Sequence, residues 1–350
     1  MADELRVGIV GLGDNCRLRH VPGLLASDDV IITGVCNRRP DSTAKAAEEF
    51  GIAKTYSAWQ ELIADDDIDA IVIGTWPYLH CDITVAGLEA GKHVLTEARM
   101  AMNAEEAHRM RAASAARPEL ITQIVPSPLG LKAHQVLLKM LSDGYIGELR
   151  EFVVLGCNDA YCDAKTPLHW RQSAEYSGVN MLALGIQHEP LIRWIADPVS
   201  VLAQTQTFTA TRPLPEGGSG PVGTPDSVQV LTRLPNGAQG VYHLSSGVHF
   251  GPSMQAHLYG SEGTIKYLVA PEDQLFAARA GDSELQEVEI PEPLQLGWRV
   301  EEEFVNAIRG IEPIVFNTFD VGVRYMEFTE AVARSAATGL AVELPLNGAN

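Results

Sequence analysis

An α/β fold in two parts is predicted for this chain, a doubly wound parallel sheet followed by an α+β domain built on a large, mainly antiparallel open sheet. Three observations predict it. Short buried runs at residues 5–10, 30–36, 68–74 and 91–95 alternate with helix-patterned segments, the order of a parallel sheet wound through helices. Pro126 and Pro128 then interrupt strand and helix alike. Beyond Gly147 the apolar period turns to two over several runs that lack intervening helices. The expected domains are residues 1–125 and 126–350.

The first strand, residues 5–10, runs into Gly11-Leu12-Gly13-Asp14-Asn15-Cys16 and then a helix-like segment to Ser27. This is a G-x-G-x-x-C form of the dinucleotide fingerprint. Gly11 makes the tight turn, Gly13 lets the backbone approach a pyrophosphate, and Cys16 is small enough for helix–strand packing. Leu12, Asp14 and Asn15 belong to the same cofactor-binding turn. The second strand ends at Asn37-Arg38-Arg39, where an acidic residue would hold the adenosine ribose hydroxyls. Asn37 tolerates a 2′-phosphate and Arg38 or Arg39 can pair with it, which favours NADP; Asn37 can also bond a bare ribose, which leaves NAD open.

Helices are expected over residues 41–50 and 57–65, then the strand 68–74 and the loop Thr75-Trp76-Pro77-Tyr78-Leu79-His80 ahead of a helix to Ala90. This loop lies at a strand's carboxyl end, so Thr75, Trp76, Pro77 and His80 are cofactor candidates; Trp76 either stacks near the nicotinamide or packs. The strand at 91–95 opens onto Glu97-Ala98-Arg99 at the same kind of position. A helix at 103–116, a strand at 120–125 and a helix at 131–142 follow. Strands are expected at 149–155, 199–209, 227–234, 240–244, 254–259 and 264–269, with an apolar helix at 179–195 holding His188 and Glu189. Residues 212–223 read as a Pro/Gly-rich surface loop. Two amphipathic helices, 299–309 and 319–337, are expected to lie against the sheet or the first domain.

With 350 residues and 46% hydrophobic content the chain can bury a substantial core. A formal net charge of −19 argues against nucleic acid and anionic membrane surfaces as partners. The apolar runs are strand-length, too short to span a membrane. The start Met1-Ala2-Asp3-Glu4 is acidic and lacks the features of a signal peptide, so a cytoplasmic protein is expected. Five cysteines without a C-x-x-C pair point to reduced thiols, and no metal is assigned.

Val10-Gly11-Leu12-Gly13 with His20, the loop 75–80, Gly91-Lys92-His93-Val94-Leu95, Gly147-Glu148-Leu149, Trp170-Arg171, Gly260-Ser261-Glu262-Gly263-Thr264 and the segment 304–310 stand in an order and spacing that resemble the glucose-fructose oxidoreductase and inositol dehydrogenase family, Gfo/Idh/MocA. The resemblance runs nearly end to end. It implies an NAD(P)-binding Rossmann domain, an α+β substrate domain whose open sheet makes homodimers or homotetramers, and hydride exchange with a carbinol of a sugar or polyol. It also implies Glu-Lys-Pro after Leu95, where this chain has Glu97-Ala98-Arg99. In the helix at 179–195 the family's Asp and His positions fall on Ala183 and Gln187.

On that basis His188 is the favoured general acid/base, since histidine titrates near neutrality, with Glu97, Arg99 and Glu189 as its catalytic companions. A one-residue shift turns a helical side chain by about 100°, so His188 inherits the role only through a re-registered helix. Trp170 and Arg171 match positions that contact substrate or cofactor. Arg99, Lys165, His169, Asn180 and Gln187 are the substrate-binding candidates. The expected function is an NAD(P)-dependent oxidoreductase acting on a sugar, polyol or sugar derivative. The alternatives are a glycoside-cleaving enzyme that recycles bound NAD(H) internally, or a cofactor-binding protein without dehydrogenase activity.

Overall fold

A computed structural model describes residues 4–269 and 273–346 of the protein. The reading of Met1-Ala2-Asp3 as part of a leaderless start lies outside the described residues. The chain forms two compact units: the first runs to Pro126 and takes back Arg299–Val323, and the second holds Ser127–Trp298 and the chain from Arg324 onward. A single boundary near residue 125 therefore corrects to a discontinuous first unit. The cause is a helix, α9 (Val300–Ile308), whose buried residues include Glu301, Phe304 and Val305. It packs on the short helix α1 (Val21–Leu25), where Gly23 leaves room for the Glu301 side chain.

The first unit is a six-stranded sheet. Its strands are β1 (Leu5–Val10), β2 (Val30–Cys36), β3 (Lys54–Thr55), β4 (Ala70–Ile73), β5 (His93–Thr96) and β6 (Thr122–Ile124). They lie in the order β3-β2-β1-β4-β5-β6 with every pairing parallel. Helices α2 (Pro40–Phe50), α3 (Trp59–Ala64), α4 (His80–Glu89) and α5 (Ala104–Ala115) connect them. β4 is buried at every position, as a central strand covered on both faces must be. The strand order reverses between β1 and β4, and such a switch point opens a ligand crevice at the strands' carboxyl ends.

In the second unit, helix α6 (His134–Ser142) precedes a nine-stranded sheet. Its order is β16-β15-β14-β13-β7-β12-β11-β8-β17, and its central strands are β7 (Leu149–Cys157), β8 (Ser200–Gln206), β11 (Ser227–Arg233), β12 (Gln239–Ser245), β13 (Gln255–Gly260) and β14 (Gly263–Leu268). Neighbours are antiparallel except β7 and β12, which run parallel. Helices α8 (Leu184–Trp194) and α10 (Phe319–Thr338) pack on one face, as Trp194 against Tyr267 and Phe328 against Tyr242 record. α7 (Ala174–Ser177) is a single turn.

Two expectations change here. The segment 212–223 contains the hairpin β9 (Thr211–Pro213) and β10 (Ser219–Pro221), and Arg212 within it is fully buried. The helix expected over 179–195 starts only at Leu184, because Leu182 adopts a left-handed φ of 47° that a helix cannot include. β15 (Gln274–Arg279), β16 (Gln286–Val288) and β17 (Val342–Glu343) complete the sheet.

Candidate active site

The crevice of the first unit is built on the turn after β1. Gly11 has φ +84°, and a Cβ there would lie 2.7 Å from the Thr75 backbone nitrogen, so conformation and space both demand glycine. Gly13 differs: the nearest atom to a Cβ there is 3.9 Å away, and the residue is exposed. Its missing side chain leaves room for a ligand to meet the backbone. Helical backbone begins at Asp14, whose exposed first turn holds N–H groups without intrahelical acceptors. The next turn, Cys16–His20, is a π-helix, a form often found at functional sites. Cys16 packs against Gly74, where a Cβ would come within 2.2 Å of its sulfur.

The crevice has a volume of about 700 Å³ and is lined by Gly11, Leu12, Gly13, Asn37, Arg38, Arg39, Thr75 and Trp76, among others. Asn37 is part of its wall: Oδ1 accepts the Leu12 N–H at 2.6 Å and Nδ2 donates to the Ser42 carbonyl. Arg38 extends over the Trp76 ring, 5.8 Å from its centroid, a cation–π distance. The Thr75 hydroxyl is buried without a hydrogen-bond partner.

Pro77 and His80, like Asp14, Asn15 and Glu97, are not among the residues that line this crevice. Pro77 starts a 3₁₀ turn and is buried. His80 is fully buried, its ring nitrogens 2.8 and 2.9 Å from the Arg99 and Thr75 carbonyls. It ties the loop after β4 to the loop after β5, and burial lowers its pKa. Arg17, Ser42, Ser57 and Gln60 line the crevice although no motif pointed to them, and Tyr78 of the 75–80 loop joins them.

At the end of β5, Glu97 is held from two sides: Asn15 Nδ2 and His20 Nε2 both donate to its Oε1, the latter at 3.0 Å. His20 Nδ1 donates in turn to Glu301 Oε1. Burial alone would lower the His20 pKa, but the two carboxylates outweigh it and raise it to about 9. Burial would raise the Glu97 carboxyl, yet His20 and Asn15 hold it below its ordinary value. Sequence reading quoted His20 only as a point of resemblance; its partner Glu301 lies 281 residues away in the chain. Arg99 is buried rather than presented on the surface.

In the second unit the predicted acid/base group is a core residue. His188 is 2% exposed, its Nδ1 lies 2.7 Å from the Tyr242 hydroxyl, and its ring stacks on Phe328 with centroids 3.7 Å apart. Burial, with a smaller contribution from Arg324, lowers its pKa to about 3. Glu189 does not orient it. That carboxylate accepts from both Nε and Nη2 of Arg193 and from the Ser127 backbone N–H at 3.0 Å, all buried. Consecutive helical positions point apart, so the two side chains join different networks. In this arrangement His188 packs against Tyr242 and Phe328, and Glu189 pins the chain at Ser127.

Gln187 is also buried, its amide packed on Gly156 of β7, where a Cβ would come within 2.2 Å of Nε2. Asn180 is buried and donates to the Ser177 carbonyl. Lys165, His169 and Arg171 are exposed, and the Arg171 guanidinium lies 4.3 Å from the Trp170 ring centroid. The loop that carries Lys165 is clamped from beneath by Arg212, whose Nη1 donates to the Asp163 and Thr166 carbonyls and Nη2 to that of Tyr161. Among the described residues no group of three or more His, Cys, Asp or Glu is arranged to hold a metal ion, and no helix is long and apolar enough to cross a membrane.

Residues 5–123 match the model of an oxidoreductase family with an NAD-binding Rossmann fold, and residues 134–266 match a GFO/IDH/MocA C-terminal domain. Levoglucosan dehydrogenase of Pseudarthrobacter phenanthrenivorans is 28% identical over 264 residues, 71% of this chain and 67% of that protein. A 1,5-anhydro-D-fructose reductase of Ensifer adhaerens is 26% identical over 350 residues, 97% of this chain and 98% of the relative. A levoglucosan dehydrogenase structure in complex with NADH and L-sorbose superposes with a TM-score of 0.87 at 24% identity, covering 98% of this chain and 99% of that one; the likeness is one of fold. The chain belongs to the Gfo/Idh/MocA family of oxidoreductases, with an NAD-binding Rossmann fold in its first unit.

Proposed function

We propose that the protein is a nicotinamide-dependent oxidoreductase acting on a CH–OH group of a sugar, polyol or sugar derivative. The observation that carries this reading is the crevice of the first unit, where Gly11 closes the turn, Gly13 presents bare backbone and the Thr75 hydroxyl is left without a protein partner. These residues fit a dinucleotide. The Gly13 side of the turn would meet the pyrophosphate, and the N–H groups from Asp14 onward suit its charge. The bound nicotinamide would supply the hydride acceptor or donor. The relatives named as levoglucosan dehydrogenase and 1,5-anhydro-D-fructose reductase support a carbohydrate as the partner.

NADP is the favoured cofactor. No carboxylate stands at residues 37–39, and Arg38 and Arg39 line the crevice, where a 2′-phosphate would be paired rather than repelled. The exposed Lys165, His169 and Arg171 are the substrate-binding candidates of the second unit. His188 is not assigned the proton transfer, because Nδ1 is engaged with the Tyr242 hydroxyl, one ring face stacks on Phe328, and burial lowers its pKa to about 3.

The test is reduced-nicotinamide absorbance of purified protein mixed with NADP or NAD and a panel of sugars, polyols, anhydrosugars and glycosides. A sustained rise with one carbohydrate, larger with NADP, is expected. Cleavage of a glycoside with no net cofactor reduction would replace this reading with internal redox recycling, and bound cofactor without any product would replace it with a non-catalytic role.

A further inference from the structure

Glu97, His20 and Glu301 form a buried carboxylate–imidazole–carboxylate row within the first unit. His20 is completely buried, and Glu97 and Glu301 side chains are 15% and 4% exposed. Three separate elements contribute: the π-helical turn after the glycine loop, the end of β5, and α9. Each ring nitrogen of His20 faces a carboxylate oxygen. Both contacts are hydrogen bonds only when the ring carries two protons, because a neutral imidazole has one N–H to donate. The row is therefore a charge-assisted brace running from α9 to Glu97.

Glu97 Oε1 receives both Asn15 and His20, while Oε2 makes no hydrogen bond among the described residues. An ionised carboxylate accepts at both oxygens. Asn15 belongs to the turn that Gly11 and Gly13 open, so Glu97 is tied directly to the dinucleotide loop.

We propose that His20, backed by Glu301, is a positioning residue for cofactor binding: it holds Glu97, tied through Asn15 to the dinucleotide turn, so that Oε2 accepts a hydrogen bond from a donor on the bound dinucleotide. The inference rests on the function proposed above and adds a pH signature to it. His20 loses its second proton at about pH 9. Below that the brace is intact; above it the ring keeps one N–H, one of the two carboxylates loses its donor, and Glu97 is held by Asn15 with the brace to α9 broken. The other groups facing the row do not titrate in that window. Burial holds the Cys16 thiol protonated well above its ordinary range, His80 is neutral through its lowered pKa, and Glu97 is held below its ordinary value.

The experiment is fluorescence titration of NADPH and NADH into the full chain between about pH 6.5 and 10, for wild type, His20→Gln and Glu301→Gln. Wild-type affinity is expected to hold to about pH 8 and to fall roughly tenfold by about pH 10. His20→Gln, which cannot carry the charge, is expected to bind about tenfold more weakly at pH 7 with no such fall. Melting curves recorded without cofactor at each pH separate lost binding from lost fold. Should the variants not fold, the wild-type profile and the ring ¹⁵N shifts of His20 decide. Wild-type affinity that ignores pH across this range, a neutral His20 at pH 7, or a folded His20→Gln that binds like wild type overturns the inference alone. A wild type that binds neither nucleotide at any pH overturns the proposed function, and this inference with it.

Discussion

The His188 Nδ1 and the Tyr242 hydroxyl lie 2.7 Å apart inside the second unit, beneath the Phe328 ring. This pair decides what the most conspicuous titratable residue of the chain does. A histidine so placed contributes packing and one buried hydrogen bond.

His188→Ala is expected to destabilise the protein by about 2–4 kcal/mol, from a cavity against Phe328 and an orphaned Tyr242 hydroxyl, while kcat of the folded fraction stays within a few-fold of wild type. The pH dependence follows from the lowered pKa. The unfolded chain binds a proton at this residue near pH 6.5 and the folded chain only near 3, so stability falls as pH drops through that window, by at most about 1.4 kcal/mol per unit. Urea titrations of wild type and variant between about pH 4 and 7 check it: the variant should show the shallower acid loss. A pH-rate profile abolished by His188→Ala at unchanged stability would restore the residue to the chemistry.

Arg212 holds three backbone carbonyls of the loop at residues 161–166. Removing its guanidinium takes the donor from the Tyr161 and Thr166 carbonyls and leaves the Asp163 carbonyl only the Thr166 N–H. Arg212→Met is expected to cost about 2–4 kcal/mol and to loosen the loop, so that trypsin cuts after the exposed Lys165 many-fold faster than in wild type. Limited proteolysis with mass spectrometry measures this directly.

Asn37→Asp keeps the bond from the Leu12 N–H but loses the donor to the Ser42 carbonyl. It also places a negative charge where a 2′-phosphate would sit. NADPH affinity is expected to fall about tenfold or more relative to NADH. Unchanged relative affinities in fluorescence titrations would mean that residue 37 does not read the ribose.

The open face of the large sheet carries Leu231 opposite Leu202 on one neighbouring strand and Val241 on the other. They are 55%, 41% and 39% exposed. An apolar row across three paired strands is costly in water, and burial against a second copy of the chain is the expected remedy. Leu231→Lys should convert the oligomer to monomer in light scattering. A wild type that is monomeric at micromolar concentration removes this expectation.

Much of the fold was legible because periodicity reports burial. The runs at β1, β2, β4 and β5 announce a parallel sheet, and the fingerprint from Gly11 to Cys16 lies at its switch point. The hairpin at β9 and β10 was not legible, since three-residue strands beside Pro and Gly look like a loop. Nor was the start of α8 at Leu184, because an apolar stretch hides the left-handed turn at Leu182.

The candidate site divides along the same line. Local chemistry along the chain determined the dinucleotide turn, the non-acidic end of β2 and the strand ends that present Thr75 and Glu97, because each depends on neighbours a few residues away. Only the tertiary structure decided which side chains face a crevice and which face a core. His188 and His80 look like chemistry in the sequence and are buried among Tyr242, Phe328 and backbone carbonyls. His20 meets Glu301 across 281 residues. Charge pairing and burial depend on distance in space, and spacing along the chain does not encode that distance beyond a helical turn or a hairpin.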